Sequence, residues 1–486
     1  MHTRIKKIAK PCLLASGICI GMGLGSITSA QVDNLPVLGN AISGTISTQQ
    51  EYEMGREILR SMRAQFALLS DPLIEEYVAS LSYHLAANSE LSDHRLSFLL
   101  IDSDQLNAFA APGGIIGVNA GLFLYAENEG QFASVLSHEL AHISQRHYAR
   151  NIEASRANSL TTIATTLASV LIVAAAGGEA GQAALAVSQT MALENQLRFS
   201  RSNEQEADRV GIRTLYNAGF DPNDMPGMFE NMMQMRSQSR RIPEFLSTHP
   251  LDENRVADSR NRAASMPGVE HIQNIEYLLM RQRVLRHYDN NQINSIASMK
   301  RELPQLNGIQ ADATSYGIAL AEMRSGQFAA ATETLAPLLA KDPNRISYVV
   351  LEAQIAQNSG QLDEALAILE NHLDINPSNY PLSMAYAETL EASDRTQEAV
   401  AVFKTLSQQR PNDINIWYQL AELQGLIGDI SGVHQARAEY FLGIGEFGRA
   451  RDHLNLALEE RNDPLTVARI RQRLVDIQEI GDRYYR

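Results

Sequence analysis

The sequence predicts an α+β domain, mostly helical with a small β-sheet, followed by an all-α solenoid of paired helices. Three observations carry this reading. Pro343, Pro377 and Pro411 stand 34 residues apart, and Gly326-Gln327 with Gly360-Gln361, and Ala331 with Ala365 and Ala399, keep the same period. Such a period, with small residues where helices cross and proline closing each unit, belongs to stacked helix pairs. Residues 129–150 hold no proline and, after Gly130, no glycine, so they read as one helix carrying His138, Glu139 and His142. Between residues 95 and 122, short runs rich in Leu, Ile and Phe are cut by Pro112-Gly113-Gly114, as strands joined by a tight turn would be.

The 486 residues allow two or three domains. Arg4, Lys6, Lys7 and Lys10, a glycine-interrupted apolar stretch over 12–27, and Thr28-Ser29-Ala30 make residues 1–30 a secretory signal peptide with cleavage expected after Ala30. Loss of those four basic side chains takes the formal charge from −15 to −19. So acidic a chain repels polyanions, which argues against a nucleic-acid partner. Cys12 and Cys19 both lie in the leader, so the exported chain has no thiol for a disulfide or a cysteine metal site. Neither follows the small residue of a lipoprotein cleavage site, and a soluble periplasmic protein is expected.

Taken in order, residues 49–69 and 71–88 show apolar positions at helical spacing, the second behind the cap pair Asp71-Pro72. Residues 95–102 read as a strand. The hairpin over 107–122 is either an ordinary structural one, the better supported reading, or an edge strand to which a peptide adds itself. His138 and His142 sit about 40° apart around their helix and one turn along it, so both imidazoles can share one metal ion. Neutral imidazole suits Zn²⁺, whose catalytic sites take three protein ligands and keep the fourth position for water. Glu139 is close enough to reach that water. His147 falls on about the opposite face of the same helix and is expected at the surface.

Residues 160–176 form an apolar run, followed by Gly177-Gly178 and a second Ala-rich run over 183–193. The first run is short for a bilayer span. A helical hairpin over 160–193, packed on the domain or leaning over its cleft, is expected, with peripheral membrane contact as the second reading. Ser202-Asn203-Glu204-Gln205-Glu206-Ala207-Asp208 then opens another helix. Glu204 and Asp208 share a face, while Glu206, about 200° away, is expected in solvent. One carboxylate here can supply the third metal ligand and another can orient a ligand histidine. For an isolated E-x-x-x-D, a solvated charged face is the plain alternative.

His138-Glu139-x-x-His142, Glu204-x-x-x-Asp208, Asn107-Ala108-Phe109-Ala110 and Pro112-Gly113-Gly114 together resemble the M48 family of zinc metallopeptidases, over roughly residues 45–265. The resemblance implies an α+β zincin-like metalloprotease domain within 31–265, one Zn²⁺ held by His138, His142 and Glu204, Glu139 as the base and Asp208 orienting a ligand. Ser247-Thr248-His249-Pro250, with Arg255 six residues after the histidine, matches a further family feature near the active site. His249 is therefore a candidate latch on the metal, a candidate stabiliser of the tetrahedral intermediate, or a structural turn residue.

The repeats over 311–486 follow the tetratricopeptide pattern, with Leu335, Leu369 and Phe403 at a further shared apolar position. Trp417 opens a fourth unit, but Gly428 and Gly445 are only 17 residues apart, so the last helices are expected to serve as an irregular cap. Met266-Pro267-Gly268 reads as a joint, and residues 277–303 as a helical pair within a bridge over 266–310. An exported M48 peptidase joined to such repeats resembles members of the family concerned with outer-membrane assembly. That implies a metalloendopeptidase with chaperone-like activity, unfolded or stalled outer-membrane proteins as substrates, and the barrel-assembly machinery as partner of the repeats. The alternative is a periplasmic scaffold or chaperone whose metal site is latent or mostly structural. Glu139 favours the enzyme, because a structural site needs no base.

Overall fold

A computed structural model of the chain describes residues 46–155, 201–238, 244–269, 274–460 and 463–484. The leader over 1–30 and the apolar runs over 160–193 lie outside the described residues. No helix among the described residues is long and apolar enough to cross a membrane.

The N-terminal part opens with α1 (Thr48–Gln65) and α2 (Pro72–Ala87). Ser47 and Gln50 cap α1 reciprocally, and the Asp71 side chain accepts from the Leu73 and Ile74 N–H groups ahead of α2. Such caps are worth about 1 kcal/mol each. The apolar spacing that suggests helix to residue 69 belongs instead to the sheet: Leu69 N–H donates to Leu100 O, and Asp102 N–H to Ala67 O. The sheet holds β1 (Ser97–Ile101), β2 (Ala108–Ala111) and β3 (Ile115–Asn119) in the order β1-β3-β2. β1 runs parallel to β3 and β2 antiparallel to it, across the Pro112-Gly113-Gly114 turn. Gly114 has φ 77°, and a Cβ there would stand 2.5 Å from Arg95 O, so the turn requires glycine.

After α3 (Leu122–Tyr125) comes α4 (Glu129–Ser144), capped by Asn128 and buried on every face from Glu129 to His142. It is enclosed by α2, β2, α6 (Arg201–Asn217) and α7 (Asp224–Gln238). The predicted single helix over 129–150 is in fact two. α4 ends at Ser144, Arg146 takes φ 53°, and α5 (His147–Ser155) starts on a new axis. The Arg146 side chain holds the break, donating to Glu51 at 2.8 Å and to Ile46 O at 2.6 Å. α8 (Phe245–Thr248) and α9 (Glu253–Ser265) complete this part.

α10 (Ile275–His287) and α11 (Gln292–Glu302) lead into the repeats. The helix pairs are α12 (Gly308–Arg324) with α13 (Phe328–Lys341), α14 (Ile346–Asn358) with α15 (Leu362–Ile375), and α16 (Tyr380–Ala392) with α17 (Thr396–Gln409). α18 (Ile414–Leu426), α19 (Ile430–Gly443), α20 (Phe447–Glu459) and α21 (Pro464–Tyr484) follow. Gly326, Gly360, Asp394 and Gly428, all at positive φ, mark the turn inside each pair, so Asp394 occupies the third unit's glycine position. Gly445 adds the same kind of turn between α19 and α20. That turn explains the half-length spacing at the end of the array.

One hydrophobic core runs from Leu69 and Ile74 through Phe132, Leu136, Tyr277 and Leu279 into Tyr316, Tyr348 and Leu382. The N-terminal part and the first repeats are thus packed as one body. Polar contacts reinforce the seam: Arg283 donates to Asp71 at 2.7 Å, Ser347 to Glu276 at 2.6 Å and Tyr380 to Glu75 at 3.3 Å. Separate clusters hold α15–α19 and α19–α21.

Candidate metal centre

α4 brings His138 and His142 to one face, α6 brings Glu204 opposite them, and the turn after α8 brings His249. Gly211 lets α6 approach so closely: a Cβ there would already lie 3.2 Å from the His138 backbone. One ligand atom from each of His138, His142, Glu204 and His249 lies within 4.8 Å of all the others. His138 Nε2 stands 3.0 Å from His142 Nε2 and 3.5 Å from Glu204 Oε2. Glu204 Oε1 is 3.5 Å from His142 Nε2 and 3.1 Å from His249 Nδ1. Donors about 2.0–2.1 Å from a tetrahedral zinc are about 3.3 Å from one another, so these separations fit such an ion. Imidazole nitrogens and a carboxylate converging on one point, away from water, call for a cation between them.

Asp208, one turn beyond Glu204, has its Oδ1 at 3.0 Å from His138 Nδ1. Arg255 from α9 donates to both Asp208 oxygens at 2.7 Å, lies 2.9 Å from Glu204 Oε2 and donates to Pro250 O at 2.7 Å. Apart from Pro250, all these groups, with Glu139, are at most 3% exposed. Burial pushes the His138 imidazole down, but its contacts with Asp208 and Glu204 outweigh this and carry it up to about 9. Burial also opposes ionisation of Glu204 and Asp208, yet both are held below the usual carboxylate range, Glu204 chiefly by His249 and Asp208 chiefly by Arg255. His142 is driven well below its ordinary value by burial.

Glu139 is raised by burial. Its Oε2 accepts from Ala110 N–H at 2.8 Å, and its Oε1 lies 3.4 Å from His249 Nε2. Tyr148 from α5 donates to Ala110 O at 2.6 Å. β2 is therefore an edge strand whose outward-facing Ala110 groups are both occupied, by Glu139 and Tyr148.

Two expectations are corrected. His147 is fully buried, not at the surface. Its Nδ1 lies 2.9 Å from His142 Nδ1. Counting 100° per residue from His138 fails because α4 stops before His147, so the angle is not carried across the break. Glu206 is half-buried and engaged, accepting from His147 Nε2 at 3.2 Å and Arg150 Nη1 at 2.9 Å, and these bonds, led by the one from His147, hold it down to about 2. Tyr148 was not singled out by sequence reasoning, and Ala110 entered only as part of the Asn107-Ala108-Phe109-Ala110 motif, with no role read for its backbone. The roles are not marked locally, because the partners are brought together by the packing of α4 and α5 on β2.

A helix offering two histidines and a neighbouring glutamate, met by a carboxylate from a second helix, defines the class as metallopeptidase. Residues 72–263 match peptidase family M48, residues 357–423 match a tetratricopeptide repeat, and the chain belongs to the M48 family in a form carrying such repeats. It is 32% identical over 488 residues to the beta-barrel assembly-enhancing protease of Escherichia coli O157:H7, covering 100% of this chain and 99% of that one. The putative beta-barrel assembly-enhancing protease of Vibrio cholerae is 33% identical over 435 residues, 89% of this chain and 87% of its own. The mitochondrial metalloendopeptidase OMA1 of Schizosaccharomyces pombe is 28% identical over 237 residues, 48% of this chain and 67% of its own.

Proposed function

We propose that this chain is a zinc endopeptidase of the bacterial periplasm, with chaperone-like activity, that degrades or assists misassembled outer-membrane β-barrel proteins. The repeats would hold the client or the barrel-assembly machinery. The observation that carries the enzymatic part is the buried convergence of His138, His142 and Glu204 beside Glu139. The names of the full-length relatives support the clients, and the basic-then-apolar leader supports the compartment.

Zinc, when bound by His138, His142 and Glu204, supplies Lewis acidity toward the scissile carbonyl and lowers the pKa of a water. Glu139 takes the proton from the attacking water and returns it to the leaving amine nitrogen. Burial raises the Glu139 carboxyl, which suits a group that must both accept and give up a proton. Asp208 fixes the His138 ring from its far side, and Arg255 balances the negative charge of Glu204 and Asp208. Glu139→Gln removes the base and no ligand. The variant should keep one zinc per chain and lose casein cleavage by about 10²–10⁴-fold. A zinc-free Glu139→Gln protein would overturn this division of roles.

His249 Nδ1 stands within 3.3 Å of His138 Nε2 and 3.1 Å of Glu204 Oε1, where a fourth donor would stand. We read it as a latch that keeps the centre closed until a client arrives. His249→Ala should raise basal casein cleavage at unchanged zinc content. A fall would make His249 a stabiliser of the tetrahedral intermediate instead. The closed donor set is also what favours the scaffold reading, which gains if Glu139→Gln cells assemble outer-membrane proteins normally.

A further inference from the structure

We propose that His147 is a positioning residue of the metal centre: it holds the His142 ring through its Nδ1 and is itself held by Glu206. The proposal rests on the metal-centre reading above, and it follows from assigning a proton to each nitrogen in turn. His142 Nε2 faces His138 Nε2 at 3.0 Å and Glu204 Oε1 at 3.5 Å, so it is the nitrogen turned toward the cation position. Its other nitrogen, Nδ1, lies 2.9 Å from His147 Nδ1. Of two ring nitrogens at that distance, one carries the hydrogen and the other the lone pair.

A neutral imidazole that gives its Nε2 lone pair to a metal keeps its proton on Nδ1. His142 therefore donates and His147 accepts. His147 then carries its own proton on Nε2, which lies 3.2 Å from Glu206 Oε2, an acceptor that also takes Arg150 Nη1 at 2.9 Å. The opposite polarity fails twice. It would leave a hydrogen on His142 Nε2, pointing into the cation position, and on a neutral His147 it would set the Nε2 lone pair against a carboxylate.

The two metal-helix histidines are thus treated alike. His138 has Asp208 on its far nitrogen, with Arg255 behind. His142 has His147, then Glu206, with Arg150 behind. Outer partners of this kind fix a ligand ring's orientation and tautomer. The break between α4 and α5 gives this arrangement its geometry, because in one continuous helix His147 would face away from His142. A non-glycine residue at φ 53° is a conformation that persists where the surroundings impose it, and here it turns His147 inward.

The test uses the full chain in three variants, His147→Phe, His147→Gln and Glu206→Ala. The readouts are zinc affinity by chelator competition, the visible spectrum of the cobalt(II)-loaded protein, and melting of the metal-free protein. His147→Phe keeps the ring but neither nitrogen, and should weaken zinc binding by about 10–100-fold and alter the cobalt spectrum. His147→Gln can accept with one end and donate with the other, and should recover most of both. Glu206→Ala, at a half-buried position that threatens folding least, should shift affinity and spectrum in the same direction by less. A folded His147→Phe protein with wild-type affinity and spectrum would overturn the proposal. Should His147→Phe not fold, wild-type behaviour of Glu206→Ala would do the same, and a His147→Gln protein as impaired as His147→Phe would reduce His147 to a packing role. A wild-type protein that binds no zinc would overturn the metal-centre reading itself, a result distinct from any of these.

Discussion

Arg255 stands where two buried carboxylates would otherwise face each other without compensation. Its guanidinium spans both Asp208 oxygens and reaches Glu204, in a setting where water cannot share the task. Removing one partner of such a buried pair costs about 3–5 kcal/mol, because an unbalanced charge stays behind. Arg255→Met, which keeps the aliphatic stem, should therefore lower unfolding free energy by about that amount in denaturant titration of the metal-free protein. Zinc binding should weaken along with it, since Asp208 would be free to turn from the His138 ring. Wild-type stability in this variant would mean that Glu204 and Asp208 are not both ionised in the fold.

At the scale of elements, the seam between α2 and the repeats has a pH dependence of its own. Burial, with Asp413 close by, pushes the Glu75 carboxyl on α2 up to about 8 from its ordinary 4.5. A carboxyl raised in this way binds its proton more tightly in the folded than in the unfolded chain. Its contribution to stability is whole below about pH 4.5 and is lost as pH climbs through about 8. Glu75→Gln should thus raise the melting temperature at pH 8–9 and leave it nearly unchanged at pH 5, as thermal scans at both values would check. Much of the arrangement is legible in the sequence wherever one element's own period governs it. The nearness of His138 to His142, the shared face of Glu204 and Asp208, the hairpin across Pro112-Gly113-Gly114 and the 34-residue units are of that kind. What is not legible depends on distant chain. The break at Arg146 is held by Glu51 and Ile46, 95 and 100 residues away, so no local pattern announces that His147 turns inward and takes Glu206 with it. Residues 67–69 look helical for the same reason: their strand partner, β1, lies some thirty residues on.

At the scale of the molecule, α10, the helix between the two parts, is built into both of them. Tyr277 and Leu279 lie inside the core that α2 and α4 share with α12 and α14, and α10 is a wall of both halves. The last helices, α20 and α21, pack instead in a small cluster with α19, and Phe447 of α20 meets Arg60 of α1. This division has a consequence for how the amides exchange with deuterated solvent. α4 is enclosed along its length and has no free end from which to fray, so its amides exchange only when the whole block opens. They should share one slow rate with those of α10 and α14, while α20 and α21 exchange sooner. An ion held at the metal centre would stabilise only the closed form, so loading zinc should slow α4, α10 and α14 together and leave α21 at its metal-free rate. Slowing confined to α4 would show that the block opens piecemeal. Slowing that reached α21 would mean that the last cluster of the repeat array also senses the bound ion, with the Phe447 ring against Arg60 of α1 as the contact open to it.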